Sequence, residues 1–438
     1  MTSPAATGFN PFDPAFLEDP FPFYRIGRQA MPVTFLEPMG LWLAFGYNDC
    51  VEILKNHNSF SSAWAAPEGE PDDGRSMLNS DPPDHTRLRG LVSQAFTPRM
   101  VEQLEPRIRQ ITTQLLDAIA GQREADIVAA LTYPLPVIVI AEILGIPPED
   151  RDRFKYWSDE VVRVLGTGAG REGGEEPVNQ QVQEEMIAYF TGIIEARRAA
   201  PQADLVSGLV RASDAEGSKL TTDELLQMLV LLLVAGNETT TNLIGNAIQE
   251  FMEYPDQLAL VQADPSLVAA AVEETLRHSS PVQATVRRMA RAATLGGKEI
   301  AAGDEVIVLL GSANRDESVY PDAELFDIRR EQAPRHLAFG LGVHFCLGAP
   351  LAAPGGEGRA RRVPRPLSQL RTHGRPTPPP RAHLHHARRP RAPDPLRSGA
   401  VGGRRSWLRP DGKVRMVKPP DAGTPRADGR SGGTKPAT

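Results

Sequence analysis

The chain has 438 residues, is 41% hydrophobic and 24% charged, and carries a net charge of −7. This apolar content excludes a disordered acidic chain and suffices for a buried core. Two cysteines, Cys50 and Cys346, exclude a disulfide framework and a zinc cluster.

The opening, MTSPAATGFNPFDP, has no basic start and no apolar core, so no signal peptide is expected. Its turn signals give way to short strand-like runs, PVTFLE and LWLAFG. Cys50 follows, expected as a small buried side chain. From about residue 84 to 290 the pattern is mainly helical. Apolar residues recur at helical spacing in RMVEQLEPRIRQITTQLLDAI and in VNQQVQEEMIAYFTGIIEARR. The longest apolar runs, LPVIVIAEILGI and MLVLLLVAG, fall short of the roughly 20 residues of a membrane span and predict core helices. A long helix is predicted from Thr221 or Thr222, either of which can cap it, to about Met252 before Pro255. Another spans PSLVAAAVEETLRHS and stops before Pro281. Short strands are expected around QATVRRMA and DEVIVLLG, and an irregular stretch, NRDESVYPDAELFDIRR, leads to the second cysteine. The expected fold is mainly α with a small β portion, in a single domain over residues 1–352.

That cysteine sits in FGLGVHFCLG, where Gly340, Gly342 and Gly348 surround Cys346. Glycines let a backbone turn tightly and approach a bulky ligand. Nearby amide N–H groups stabilise a thiolate, the metal-binding form of cysteine. In the long helix, AGNETT places Glu238 beside Thr239, an acid next to an alcohol, which suits proton delivery. In DPPDHTRLRGLV, His85 and Arg89 lie four apart on one helix face, where the arginine fork suits a carboxylate. In EETLR, Glu274 and Arg277 lie three apart and can pair.

In this order the motifs resemble the cytochrome P-450 superfamily. Phe339 to Gly348 match its haem-binding signature F-x-x-G-x-H-x-C-x-G at every fixed position. The resemblance implies that haem b is the cofactor and that Cys346 is its thiolate ligand. It implies that Ala235 to Thr240 are the oxygen-activation motif, with Glu238 and Thr239 relaying protons and Gly236 leaving room for dioxygen. It places His85, Arg89, Arg287, His336 and His344 at the haem propionates, with Arg288 a weaker choice. Phe339, Gly340 and Gly348 shape the loop. Glu274 and Arg277 form the structural pair of the family, joined by Arg330. The opening FNPFDPAFLEDPFPFYR and the ANRD…YPD…FD segment are those of soluble bacterial members.

The resemblance runs from about residue 9 to 352 and then stops. Residues 353–438 carry 20 Lys and Arg against 5 Asp and Glu, which leaves the rest of the chain at about −22. The family continues into an amphipathic helix and a closing hairpin, but here Pro354, Gly355, Gly356, Pro364 and Pro366 forbid a helix. Read one base out of step, the code permits RREARVALEEFLARFPNFEL over residues 353–372, an amphipathic helix, and strand-like ERTFTTRGVRALPIRF over 381–396. Residues 353–438 are therefore expected to be an out-of-frame, disordered tail. A real basic tail is the competing reading.

The expected activity is insertion of one oxygen atom from O2 into an apolar organic substrate, by hydroxylation or epoxidation. Electrons are expected from a ferredoxin and its NAD(P)H-driven reductase. The substrate pocket is expected to draw on Ser61 to Asn79, on Ala235 and Thr239, and on Val282 to Val286. The alternatives are a peroxide-using peroxygenase and an inactive haem-binding relic. A cytoplasmic protein is expected, with neither nucleic acid nor membrane as partner.

Overall fold

The computed structural model describes residue 16 and residues 19–63, 76–95, 98–122, 124–167, 180–214, 220–330, 335–352 and 413–415. It begins with helix α1 (Phe21–Ala30), strands β1 (Val33–Leu36) and β2 (Leu41–Ala44), helix α2 (Tyr47–Lys55) and strand β3 (Phe60–Ser61). The helical part follows as α3 (Asp84–Ala95), α4 (Pro98–Asp117), α5 (Pro134–Leu144), α6 (Arg151–Thr167), α7 (Gln180–Ala199) and α8 (Leu205–Asp214). Helix α9 (Thr222–Glu253), α10 (Pro255–Ala263) and α11 (Val268–His278) complete it. A β portion returns as β5 (Thr285–Met289), β6 (Ala293–Leu295), β7 (Lys298–Ile300) and β8 (Glu305–Val308), before the short helices α12 (Leu310–Ala313) and α13 (Ala349–Ala352). Two further strands, β4 (Glu124–Asp126) and β9 (Lys413–Arg415), pair with each other. The mainly helical fold with a small sheet expected from the sequence is thus present.

Helix α9 is the axis of the fold, about 48 Å long at 1.5 Å per residue. Thr221 caps it: its Oγ1 accepts from the Glu224 amide at 3.1 Å, and Glu224 Oε2 accepts from the Thr221 amide at 2.9 Å. Between the two threonines offered by the sequence, the structure selects Thr221. Of the described helices, α9 alone is long and apolar enough to cross a membrane. Its apolar side chains instead enter the largest core, where Leu225, Leu229, Leu233 and Val234 meet Leu88 and Val92 of α3, Leu144 of α5 and Phe190 of α7.

The main sheet has the order β1-β2-β8-β5-β3, with β2 and β8 parallel and the other pairs antiparallel. Its buried residues form a second core with α2, in which Val33, Ala44, Ile53, Phe60, Val306 and Val308 pack together. Cys50 lies in this core, fully buried, as expected. The β6–β7 hairpin, turning at Gly296 and Gly297 with positive φ, carries a turn signal that the strand reading had passed over. The tail reading and its respelled segments lie outside the described residues, apart from β9.

Candidate functional site

Three neighbouring parts of the fold converge on Cys346. The loop before it closes on itself: Cys346 N donates to Phe339 O at 2.9 Å, and Phe345 N to Gly342 O at 3.1 Å. Gly340 and Gly342 both adopt positive φ, +67° and +72°, the region that favours glycine. At Gly342 a Cβ would stand 2.4 Å from the carbonyl oxygen of Leu54, so α2 passes too close for any side chain. The loop is pinned to α9 and α11 through a small apolar cluster of Leu243, Leu276 and Ala338, against which Phe339 and Ala352 pack. Leu347 and Leu351 pack against the main core.

Burial pushes the Cys346 thiol above its ordinary pKa, while the amides of Gly348 and Ala349 and the charge of Arg89 act against it. Those N–H groups stand where a thiolate needs them, and a bound metal cation would complete the deprotonation. Arg89, from α3, donates from Nη2 to Phe345 O at 2.6 Å, next to the cysteine. His85, one turn earlier on α3, stacks against His344 of the loop with ring centroids 4.2 Å apart.

Among the described residues, this histidine pair holds three of the buried side-chain atoms without a partner. Both ring nitrogens of His85 and Nε2 of His344 are buried without a hydrogen-bond partner. Burial pushes the His85 pKa down and takes that of His344 to about 4, so both rings are neutral near pH 7 and each retains one N–H to donate. A buried donor left unpaired costs about 1–3 kcal/mol, so such a cluster fits an acceptor that binds there. Arg287 on β5 is also buried, with one of its charge neighbours Asp81. Its Nη1 donates only to Val286 O at 2.8 Å and Thr285 Oγ1 at 3.2 Å. A thiol ringed by amides, two arginines and two unpaired imidazoles forms a donor set that fits a haem with its two carboxylates.

His336 stands apart. Its Nε2 donates to Glu273 Oε2 at 3.0 Å and its Nδ1 accepts from the Ala338 amide at 3.3 Å. It reaches a haem carboxylate only by giving up bonds it already has. Arg288 is the register partner of Ser61 across the β3–β5 ladder.

Midway along α9, Ala235 and Glu238 are solvent-accessible and Thr239 is half-buried, on one face of the helix. Thr239 Oγ1 donates to Ala235 O at 2.8 Å, the back-bond that bends a helix locally. Burial pushes the Glu238 carboxyl above the ordinary carboxylate pKa, as an acid in a proton relay requires. Gly236 follows Ala235 on the same helix. A Cβ there would stand 3.4 Å from Ile140 of α5, an ordinary contact distance, so the packing of α5 against α9 does not by itself require glycine at this position. The next residue, Asn237, is buried and donates from Nδ2 to Ser158 Oγ of α6 at 2.8 Å.

The structural triad forms as its spacing suggests. Arg277 donates from Nε to Glu274 Oε2 at 2.8 Å and from Nη2 to Oε1 at 2.7 Å, and Arg330 Nε joins Oε1 at 3.3 Å. Sequence reasoning missed Asn314, which links this triad to the cysteine loop. Its backbone oxygen accepts from Arg277 Nη1 at 2.9 Å, its Oδ1 from the Leu337 amide at 2.6 Å, and its Nδ2 donates to Ser280 Oγ at 2.8 Å. The ANRD segment held the residue, but nothing in it marks the asparagine as a junction. Of the pocket segments, residues 64–75 lie outside the described residues.

A family model for Cytochrome P450 matches residues 176–354. The chain is 44% identical over 336 residues to a putative cytochrome P450, YjiB, of Bacillus subtilis, covering 76% of this chain and 83% of that one. It is 43% identical to the cytochrome P450 monooxygenase PikC of Streptomyces venezuelae, covering 77% of this chain and 81% of that one. Among solved structures, CYP109E1 of Bacillus megaterium in complex with testosterone superposes with a TM-score of 0.69 at 41% identity, covering 76% and 86% of the two chains.

Proposed function

The chain belongs to the cytochrome P450 family, and from that premise we propose which bonds it oxidises and which residues serve the reaction. It is a monooxygenase with haem b as cofactor. The proposed reaction inserts one atom of dioxygen into a C–H or C=C bond of an apolar molecule. The other atom leaves as water, with two electrons and two protons consumed. The relative crystallised with testosterone supports an apolar substrate. The proposed electron source is a ferredoxin and its NAD(P)H-driven reductase, as the likeness to bacterial members of the family suggests.

When bound, the haem supplies the iron centre at which dioxygen is reduced and split. Cys346 holds that iron through its sulfur, and the Gly348 and Ala349 amides steady the charge on the thiolate. His85, His344, Arg89 and Arg287 receive the haem carboxylates, and the neutral imidazoles donate the N–H groups that now lack acceptors. Glu238 holds a proton at its carboxyl. Thr239 would relay it by accepting at Oγ1 while releasing its own hydrogen, now bonded to Ala235 O, toward the reacting oxygen.

The observation that carries this reading is the pair His85 and His344 beside the cysteine loop, with both ring nitrogens of His85 and Nε2 of His344 buried and unpartnered. The test is the spectrum of the reduced carbon monoxide complex. The parent chain is expected to show the red-shifted Soret band of thiolate ligation, and Cys346→Ala to lose it. A parent without that band overturns the assignment of Cys346. With ferredoxin, reductase and NAD(P)H supplied, Thr239→Ala is expected to form less product per NAD(P)H oxidised.

We infer in addition that residues 353–438 are read out of frame. The family match ends at residue 354, where the composition changes, which supports the inference. Sequencing both gene strands across codon 352 decides it, and a confirmed frame with stable haem binding refutes it.

A further inference from the structure

The donors assigned to the haem carboxylates come from elements far apart in the chain. His85 and Arg89 are on α3, and Arg287 is on β5. Something must set the distance between those elements, because a carboxylate clamp tolerates little displacement. The β3–β5 ladder sets one side: Phe60 pairs with Met289 and Ser61 with Arg288, which places the end of β3 beside Arg287. The other side is the join between β3 and α3, made by Asp81.

Asp81 lies just ahead of α3. Its backbone oxygen accepts from the His85 amide at 3.0 Å, which starts the helix. Its carboxylate turns back to β3, where Oδ1 accepts from the Ser62 amide at 3.0 Å and Oδ2 accepts from Ser61 Oγ. Ser61 Oγ in turn accepts from the Ala63 amide at 2.9 Å. Ser61 and Ser62 are both buried, so these bonds are shielded from water. The same carboxylate lies close enough to His85, Arg287 and His344 to act electrostatically on all three. It is thus a common neighbour of both halves of the donor group.

We propose that Asp81 is a positioning residue that holds α3 in register with β5, so that His85 and Arg89 meet the same haem edge as Arg287. The inference rests on the assignment of those three residues to the haem carboxylates. It distinguishes two properties of the side chain. Asparagine in its place keeps an oxygen for the Ser62 amide and a polar partner for the Ser61 hydroxyl, but carries no charge. Alanine keeps neither.

The experiment loads the full chain with haem and follows transfer of the haem to an excess of haem-free myoglobin. Asp81→Ala is expected to lose haem about tenfold faster than the parent, roughly the effect of one hydrogen bond to a charged group. Asp81→Asn is expected to restore retention to within about twofold of the parent. Ser61→Ala, which removes one bond and leaves the carboxylate, is expected to fall between and guards against poor folding of Asp81→Ala. Retention by Asp81→Ala equal to the parent overturns the proposal, and so does an Asp81→Asn as leaky as Asp81→Ala. Arg89→Ala is the control on the underlying assignment: if it too retains haem like the parent, the carboxylate reading fails rather than the role of Asp81. Hydrogen exchange at the Ser62 and His85 amides provides a readout independent of haem. Both amides are expected to exchange faster in Asp81→Ala and at the parent rate in Asp81→Asn, and unchanged rates in Asp81→Ala overturn the proposal.

Discussion

Removing the Arg277 side chain tests how the Cys346 loop is supported. Arg277 and Glu274 are 3% and 5% exposed, so neither is solvated if the other is lost. The guanidinium donates twice to Glu274, and once each to the carbonyl oxygens of Asn314, Ala323 and Leu325, all at 2.7–2.9 Å. In Arg277→Ala the Glu274 carboxylate keeps the Asp327 amide at 3.0 Å and Arg330 at 3.3 Å, and Leu325 O keeps Arg330. The Asn314 and Ala323 oxygens lose this donor. Breaking a buried ion pair from one side costs about 3–5 kcal/mol. The partial cover from Arg330 argues for about 4 kcal/mol rather than more. At about 2 °C per kcal/mol for a chain this large, melting falls by roughly 8 °C. Arg277→Lys keeps the charge but cannot span five acceptor contacts from one ammonium, and is expected to lose about half as much. Circular-dichroism melting of the three chains under one set of conditions is the assay. If Arg277→Ala melts within 2 °C of the parent, the buried network is not supporting the fold, and the argument from its geometry is wrong.

Two glycines of the loop give a contrast. Gly342→Ala is expected to cost far more haem content and stability than Gly340→Ala. Both have positive φ, but the added Cβ would stand 2.4 Å from Leu54 O at position 342 and no nearer than 3.8 Å to any neighbour at position 340. For Gly340→Ala only the left-handed backbone penalty of about 1–2 kcal/mol applies. Haem per chain and melting temperature, measured on both variants, decide it, and equal losses sink the steric argument. Glu238 predicts a pH dependence. Its folded-state pKa is raised by burial above the ordinary 4.5, so the native state holds the proton more tightly than the unfolded one. The parent should therefore lose stability relative to Glu238→Gln as pH rises from 4.5 through the raised value, and the gap should then level off. Parallel denaturant midpoints for the two chains across that range would contradict the raised pKa of the acid.

The sequence alone determined the family and the mainly helical class, and it named the candidate site residues. It did so because those features are local. Apolar spacing marks α4, α7 and α9, two adjacent threonines mark the start of α9, and the glycines around Cys346 mark a turn that only glycine makes. Glu274 and Arg277 are neighbours on any helix, so their pairing was legible before any fold was known. Only the tertiary structure decided matters that depend on residues far apart in the chain. It engaged His336 with Glu273, and left both ring nitrogens of His85 and Nε2 of His344 without a partner. It also made junctions of Asn314 and Asp81, whose partners lie 23 and about 20 residues away along the chain. A hydrogen bond across such a separation depends on where whole elements pack, and no local pattern of residue types records that.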